Sequence, residues 1–411
     1  MKLDISAIRA QFPALQRTIN GRPAAYLDGP AGTQVPQGVI DAMSGFMQRG
    51  GSNLGGLFVT GRETDATAQA AREAMAAFMH AMPNEVVFGQ NMTSLTFAFG
   101  RALSRAWKPG DEIVVTWLDH DANIAPWVLA AEDRGVTVRW LDFDPADGTL
   151  RYEQLPGLLN DKTRLVAVTA ASNALGTITW LDKVITQAHK AGAQVYVDAV
   201  HYAPHGSIDV QALDCDYLVC SAYKFFGPHT GILYGRLELL ERADAYKVRP
   251  ADDEPPGKWE TGTQSFESLA GVTAAVDYIT SLGQGRTRRA RIESAMAAIK
   301  AYGETLSRRF LQGAAGVPGL RVYGITDQGR LAERAPTFAV SLAGCSPAKV
   351  AQYLGEQGIF VWNGDYYAVA PMERLGVLDK GGLVRIGFAH YNTAEEVDRV
   401  LEELGTLARR G

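Results

Sequence analysis

The feature that most constrains the fold is an alternation of short apolar segments with amphipathic segments between about residues 65 and 222. Segments with the composition of buried strands lie at 84–89, 111–117, 136–143, 163–172, 194–200 and 216–222. Segments with the apolar spacing of helices lie at 65–81, 93–107 and 181–193. Apolar strands that alternate with amphipathic helices predict an α/β fold, in which helices cover both faces of a parallel sheet.

The pattern changes after about residue 265, where a long helix-rich stretch leads into the strand-like segments TFAVSLAG, GIFVWNGDYYA and LVRIGFAHYN. A final helix follows, with Asn392 or Thr393 as its N-terminal cap. We therefore predict a large domain over residues 20–270. A smaller α+β domain is predicted from residues 271–411, together with an N-terminal helix within residues 1–19.

Charge and cysteine content argue against several classes of protein. The 411 residues carry 40 basic and 45 acidic side chains, a net charge of -5 that does not suit a general nucleic-acid-binding protein. Cys215, Cys220 and Cys345 are too few for a disulfide framework and have no metal-ligand spacing. No apolar run reaches the ~18 residues of a membrane span. We expect a cytoplasmic protein that binds no nucleic acid, no membrane and no metal.

Two charged residues follow apolar, strand-like segments. Asp198 ends one such segment, and Lys224 follows another that lies one crossover further along the chain. Both are therefore expected at the carboxyl edge of the sheet, where open α/β sheets bind ligands. An amine and a carboxylate over one crevice suit a pyridine aldehyde cofactor, because the amine forms a Schiff base and the carboxylate keeps the ring nitrogen protonated. The alternative is that both residues make ordinary surface contacts.

The segment VDAVHYAPHGSIDVQALDCDYLVCSAYKFFGPHTGILYG around these two residues resembles the class V aminotransferase family of pyridoxal-phosphate enzymes. It looks most like the cysteine desulfurase and selenocysteine lyase branch. The likeness runs from YLDGPAGTQVP at 26–36 to VRIGFAHYNTAEEVDRVLEEL at 384–404. It implies pyridoxal 5'-phosphate as cofactor. It also implies fold type I, in which a mostly parallel seven-stranded sheet between helices is joined to a smaller α+β domain.

The resemblance implies roles around the cofactor ring. Lys224 would form the Schiff base, and Asp198 would hold the ring nitrogen. His120 would stack on the pyridine, so that these three residues form the implied catalytic set. His201 and Asn173 would lie near the phenolic oxygen of the cofactor.

The resemblance also implies where the phosphate and the substrate bind. The segment GQNMTSLTF at 89–97 runs from a strand into a helix, so that free backbone N–H groups converge on the phosphate. The implied phosphate-side residues of the same chain are Asn91, Met92, Thr93, Ser221 and Tyr223. Thr263 would come from a partner subunit, which implies a homodimer with composite active sites. Arg385 matches the arginine that binds the α-carboxylate of an amino-acid substrate.

Two departures from the desulfurase branch stand out. The loop that would carry a sulfur-accepting cysteine corresponds to residues 361–371, which contain Tyr366 and Tyr367 but no cysteine. In GGSNLGG at 50–56, two glycines follow Asn53 and Leu54 where the branch usually has a His-Arg pair. The lost side chains predict a substrate larger than cysteine, with Asn53 and Tyr367 among its contacts.

Three reactions remain open once Lys224 acts as a general base on the α-carbon of the substrate. These are elimination of a sulfur substituent without a protein thiol, transamination and epimerisation. We favour elimination because it needs only the lysine and a leaving group, whereas epimerisation needs a second acid such as Tyr366 or Tyr367. Intact Lys224, Asp198 and Arg385 argue against a catalytically silent relative, and the lack of a GxGxxG motif argues against a dehydrogenase.

Overall fold

The structure is a computed structural model that describes residues 2–410. The helices within this range are α1 (Ile5–Arg9), α2 (Gln37–Arg49), α3 (Val59–Met79), α4 (Met92–Leu103), α5 (Ala125–Arg134), α6 (Leu155–Leu158), α7 (Leu181–Lys190), α8 (Val210–Leu213), α9 (Leu237–Arg242), α10 (Phe266–Ser281), α11 (Arg288–Ala314), α12 (Pro347–Glu356), α13 (Val369–Arg374) and α14 (Ala394–Arg410). The strands are β1 (Thr18–Ile19), β2 (Arg22–Pro23), β3 (Ala25–Tyr26), β4 (Val86–Gly89), β5 (Glu112–Thr116), β6 (Thr137–Leu141), β7 (Thr163–Thr169), β8 (Gln194–Asp198), β9 (Tyr217–Ser221), β10 (Gly231–Gly235), β11 (Leu320–Tyr323), β12 (Thr337–Leu342), β13 (Ile359–Phe360), β14 (Trp362–Gly364) and β15 (Leu383–Gly387). Among the helices of residues 2–410, none is both long enough and apolar enough to span a bilayer.

Seven strands form the central sheet, in the order β4–β10–β9–β8–β7–β5–β6. Neighbouring strands from β9 to β6 pair in parallel, and only the pairs that β10 makes with β9 and β4 are antiparallel. The α/β fold with a mostly parallel seven-stranded sheet, predicted from the resemblance, is therefore confirmed. The sequence did not reveal β10, because its five residues GILYG begin and end with glycine and resemble a loop.

A second sheet lies in the carboxyl-terminal part of the chain. It has four antiparallel strands in the order β11–β12–β15–β14, and its apolar core is shared with helices α11, α12 and α14. Strand β3, from the start of the chain, pairs in parallel with β13 beside it. The predicted boundary at residue 270 falls within α10, which packs on α2 and α3. The domain limits remain a prediction.

Two helix starts show how the local sequence sets the elements. Helix α4 begins at Met92, and the side-chain oxygen of Asn91 caps it by accepting a 2.9 Å bond from the Ser94 N–H. The helix predicted over residues 93–107 thus begins one residue earlier than expected. At α14, Thr393 is the cap, because its hydroxyl accepts from the Glu396 N–H and the Glu396 carboxylate accepts from the Thr393 N–H.

Candidate functional site

A cavity opens at the carboxyl ends of the central strands β7, β8 and β9. The residues that line it come from strand ends, from the start of α4 and from a loop near the amino terminus: Pro30, Met92, Thr93, His120, Thr169, Ala171, Asn173, Asp198, Val200, His201, Tyr223 and Lys224. This is the edge at which parallel α/β sheets place their ligands. Asp198 and Lys224 reach it together because β8 and β9 are adjacent and parallel. The predicted placement of these two residues at one edge therefore agrees with the structure.

Lys224 lies on the short 3-10 turn that follows β9. Its Nζ donates to the backbone oxygens of Pro30 at 2.5 Å and Ala31 at 2.9 Å. Burial lowers the pKa of Lys224 from 10.5 to about 7, and the positive charge of Arg385 acts in the same direction. The amine is therefore neutral in a substantial fraction of molecules near pH 7, which is the form that attacks an aldehyde.

Asp198 is the last residue of β8 and is 3% exposed. Its carboxylate accepts a 2.8 Å bond from the Val200 N–H. Burial raises the pKa of Asp198 to about 6, while this hydrogen bond and Lys224 both oppose the rise. A cationic ring nitrogen beside the carboxylate would stabilise its charged form further.

Two histidines and an asparagine also line the cavity, on the side where the cofactor ring is expected. His201 is buried and its Nε2 lies 3.0 Å from the hydroxyl of Thr337. His120 accepts a 3.0 Å bond at Nδ1 from the Ala122 N–H, and burial lowers its pKa to about 3, so that its ring is neutral. Asn173 donates to the backbone oxygen of Tyr366 at 3.0 Å, and its Oδ1 is buried with no partner among residues 2–410.

The amino terminus of α4 supplies the predicted phosphate side of the cavity. The Met92 N–H donates to the Ser221 hydroxyl at 3.1 Å, and Thr93 and Tyr223 line the cavity. A Cβ atom at Gly231 would come within 2.4 Å of the Asn91 backbone, so the start of β10 packs directly against this turn. The N–H groups of Met92 and Ser94 are thus already paired with side chains, so that of the first three residues of α4 Thr93 is the one whose N–H would face a phosphate.

Arg385 lies behind Asn173, on strand β15 of the second sheet. Its Nη1 donates to the Asn173 backbone oxygen at 3.0 Å, and its Nε is buried without a partner in the described chain. Its guanidinium carbon lies 4.5 Å from the centre of the Tyr366 ring. Burial lowers the pKa of Arg385 to about 10, so it remains a cation at neutral pH.

The two tyrosines within residues 361–371 have different environments in the structure. Tyr366 is 8% exposed and its hydroxyl has no partner in the part of the chain described, whereas Tyr367 is 74% exposed. The Tyr367 ring stacks on His120 with 5.8 Å between ring centres, and its backbone oxygen accepts from the Asp121 N–H at 2.7 Å. Both tyrosines have positive φ angles, of 58° and 56°, which is strained for residues with large side chains.

Six of the predicted site residues do not line this cavity. Asn91, Ser221, Arg385 and Tyr367 adjoin residues that line it, whereas Asn53 and Thr263 lie elsewhere within one chain. Asn53 is exposed in the loop between α2 and α3, and Thr263 lies in a separate groove of about 500 Å³ that also contains Gln90 and Ser94. Gly56 packs against Gly61, where an added Cβ would come within 3.0 Å of the Gly61 backbone. Close packing of the backbone is therefore one reason for glycine at this position.

Two acids near the site, the fully buried Asp119 and the partly buried Asp28, were not identified from the sequence. Asp119 is fully buried beside His120, accepts bonds from Thr116 and Asn123, and has a pKa raised to about 8 by burial. Burial also raises the pKa of Asp28 to about 6, although its own backbone and Arg385 lower it. The only signal for Asp119 was its position next to His120, and nothing marked Asp28.

The residues present fit a phosphorylated pyridine aldehyde. The partly neutral lysine, the buried carboxylate at a strand end and the helix start are the three features that such a cofactor needs. The unpartnered Asn173 Oδ1 and Arg385 Nε are buried polar groups that still require partners. A cofactor and an amino-acid carboxylate would supply such partners.

Comparison with known proteins agrees with this geometry. The family model for aminotransferase class V matches residues 25–400. A cysteine desulfurase of Serratia proteamaculans is 34% identical, over 100% of this chain and 99% of the relative. The apo structure of a cysteine desulfurase from Thermococcus onnurineus NA1 has a TM-score of 0.89 and 25% identity, and covers 100% of this chain and 99% of its own. The cysteine desulfurase CsdA from Escherichia coli, in its S-sulfonic acid form, has a TM-score of 0.86 and 28% identity at the same coverage.

Proposed function

We propose that this chain, which belongs to the class V aminotransferase family and is a pyridoxal-phosphate-dependent enzyme of its cysteine desulfurase-like branch, is a C–S lyase. In this proposal it breaks the bond between the β-carbon and sulfur of an S-substituted cysteine. It does so without forming a persulfide on the protein. The products would be a thiol and an unsaturated amino acid, which water converts to pyruvate and ammonia.

The observation that carries this proposal is the tyrosine pair in the loop at 361–371. Neither tyrosine can accept sulfur, and the chain's three cysteines lie elsewhere. Cys215 and Cys220 are buried, with thiol pKa values raised by burial, and Cys345 lies in the turn between β12 and α12. A thiol that stays protonated is a poor nucleophile. Elimination remains possible, because it needs no protein sulfur.

The roles of the side chains follow from their positions. Arg385 binds the substrate carboxylate through its free Nε, and Asn173 orients the same end of the substrate. Lys224, with its pKa near 7, takes the proton from the α-carbon and returns it to the leaving sulfur. When bound, the cofactor withdraws the electrons of the broken C–H bond, and Asp198 keeps its ring nitrogen protonated. His120 and His201 position the ring from the cavity wall.

We also propose a homodimer with composite sites. Thr263 and Asn53 do not line the cavity of their own chain, although the resemblance assigns both to an active site. Large apolar side chains are exposed on α2 and on the segment that leads into α3: Ile40, Met47, Leu54, Leu57, Phe58 and Val59. Such an exposed apolar set is typical of a protein–protein interface.

Product analysis tests the proposed reaction. Holoenzyme is incubated with cysteine, S-alkyl cysteines and amino acids that lack a β-leaving group, and products are identified by mass spectrometry. We expect equal amounts of thiol, ammonia and pyruvate from S-alkyl cysteines, and unchanged turnover in the control variant Cys345→Ser. Persulfide on the protein after turnover of cysteine, or a keto acid that retains the substrate's carbon skeleton, would contradict C–S elimination.

Epimerisation is a second candidate, supported by one observation. The Tyr366 hydroxyl is buried, has no partner within the described residues, and lies on a ring that contacts Arg385. Epimerisation would require this hydroxyl to return a proton to the α-carbon, on the face opposite the one from which Lys224 removes it. Inversion of an amino acid that has no leaving group, with one solvent deuterium incorporated at the α-carbon, would favour this candidate over elimination.

Complementation between subunits tests the composite site. Lys224→Ala and Thr263→Val chains are co-expressed and the mixed dimer is purified. If Thr263 serves the partner's site, one site of the mixed dimer has both residues intact and binds cofactor normally. If Thr263 serves its own chain, or if the protein is monomeric, no intact site forms and cofactor binding stays weak.

A further inference from the structure

A second cavity lies behind the cofactor cavity, across the ends of β7 and β8. Side chains along a strand alternate between its two sides. Thr169 and Asp198 therefore line the cofactor cavity, while the next residues, Ala170 and Ala199, line the second one. We call the second one the rear cavity. It lies between the sheet, the start of α7 and the short helix α8.

The rear cavity is large enough for a small molecule and is mainly apolar. Its volume is about 360 Å³, within the range of known ligand pockets. Its apolar walls include Ile178, Leu181, Leu218 and the aromatic rings of Trp180 and Tyr202. Trp180 is 37% exposed, which places it at the opening. None of these groups belongs to the cofactor cavity.

One buried hydroxyl in the rear cavity lacks a partner. Thr179 is 5% exposed, and its Oγ1 has no hydrogen-bond partner among residues 2–410. Its backbone is satisfied, since the Thr179 N–H donates to the Ala170 oxygen at 3.0 Å. A buried hydroxyl without a partner is unfavourable. Because Thr179 Oγ1 is closed off from water in this structure, a ligand's hydrogen-bonding group would satisfy it after the Thr179 side chain rotates toward the cavity.

The charge around the rear cavity restricts the ligand. The described residues that line it include no lysine, arginine or histidine but two acids, Asp182 and Asp209. Asp209 is already paired, because its carboxylate accepts from the Ala212 N–H at 2.9 Å and lies 2.9 Å from His80 Nδ1. The cations beside this lining are already engaged, since Lys183 Nζ lies 3.8 Å from the Trp180 ring and Arg289 lies 3.6 Å from the Asp209 carboxylate. A neutral molecule therefore fits better than an anion.

We propose that the rear cavity is a second ligand site for a small neutral molecule with an aromatic or branched apolar body and one hydroxyl, which bonds to Thr179 Oγ1. The hydroxyl of the ligand donates to, or accepts from, that oxygen. The apolar body contacts the walls formed by Trp180 and Tyr202. This site does not depend on the proposed C–S lyase activity, because it lies on the other side of the strands.

Binding of two matched probes tests the site. Holoenzyme whose active site is blocked with aminooxyacetate is titrated with p-cresol and with toluene, and binding is followed by ligand-observed NMR. We expect both probes to bind. Thr179→Val, which keeps the shape but removes the hydroxyl, should weaken p-cresol binding about tenfold and change toluene binding less than about twofold. Thr177→Val removes another buried, unpartnered hydroxyl that does not line the cavity, and should change neither.

A blocking variant provides a second test that does not alter the buried wall. Ala212 is exposed on α8 and lines the cavity, so Ala212→Trp should close the opening and abolish binding of both probes. The matched control Ala301→Trp, at an exposed position on α11, should leave binding intact. No binding to the wild-type protein, or binding that survives Ala212→Trp, would overturn the proposal. Equal losses of p-cresol and toluene binding in Thr179→Val would overturn the role of the hydroxyl.

Discussion

The turn that carries Lys224 and the loop that carries the two tyrosines both adjoin the cavity at the edge of the central sheet, yet they differ in almost every respect. The lysine turn follows a fully buried strand, and its sequence resembles the family closely. The tyrosine loop, residues 361–371, holds two consecutive residues with positive φ and exposes most of the Tyr367 side chain. It also lacks the cysteine that the resemblance to desulfurases predicts at this place.

This difference indicates how the chemistry is divided. The residues that would remove the α-proton are held by adjacent parallel strands of the central sheet, which fix their positions. The loop belongs to the second sheet and would decide what becomes of the substrate after that proton is lost. Loops tolerate changes that a sheet does not. A fold of the cysteine desulfurase type can therefore keep the removal of the α-proton while the product of the reaction changes.

The largest expected effect concerns the lysine turn. Lys224→Ala removes the amine that we propose binds the cofactor and takes the proton, so turnover should fall by at least about 10³-fold. The visible absorbance of the bound cofactor should change as well. The control Lys183→Ala, at a lysine whose Nζ lies 3.8 Å from the Trp180 ring and away from the cofactor cavity, should have normal spectra and turnover. Normal turnover in Lys224→Ala would place the reaction outside this family's chemistry.

The next effect concerns Arg385, which contacts Asn173 in the cavity wall and the Tyr366 ring in the tyrosine loop. Arg385→Gln removes the proposed charged partner of the substrate carboxylate, which should raise KM about 10- to 100-fold. Steady-state kinetics with S-alkyl cysteines would measure the change. The corresponding S-alkyl cysteamines, which lack the carboxylate, serve as matched control substrates and should show the same rate with both proteins. An equal loss for both kinds of substrate would show that Arg385 acts on the fold and not on the carboxylate.

The third effect is a pH dependence of cofactor loading. The amine must be neutral to react, and burial lowers the pKa of Lys224 from 10.5 to about 7. Below pH 7, the loading rate of apoenzyme should therefore rise about tenfold per pH unit and then level off above about pH 7. Stopped-flow absorbance would follow the loading. A rate that continues to rise towards pH 10 would show that Lys224 is exposed to water in the apoenzyme.

The central sheet and its lysine–aspartate pair were predictable from the sequence for a physical reason. Parallel strands with apolar residues end at one edge, so Asp198 and Lys224 had to meet there if both followed strands. The class V resemblance that these residues suggested is confirmed by the family match. The fold and the cofactor follow from that match.

The tyrosine loop was not predictable in the same way. Alternation along a strand fixes the side on which a residue lies, but two successive residues with positive φ break that rule. The sequence therefore gave no sign that Tyr366 is buried and Tyr367 exposed, and it favoured Tyr367 as the substrate contact. Asp119 was missed because a buried acid one residue before His120 has no periodic signal.

The smallest expected effect separates the two tyrosines. If elimination needs only the lysine, Tyr366→Phe should keep the elimination rate within about threefold, because the ring and its contact with Arg385 remain. The variant should also be more stable by about 1 kcal/mol, because it removes a buried hydroxyl that has no partner in the described residues. Thermal unfolding and product assays measure both quantities, and Tyr367→Phe is the exposed control, expected to change neither. A much larger loss of elimination in Tyr366→Phe alone would make its hydroxyl part of the reaction, and the loop would then share the proton chemistry with the lysine turn.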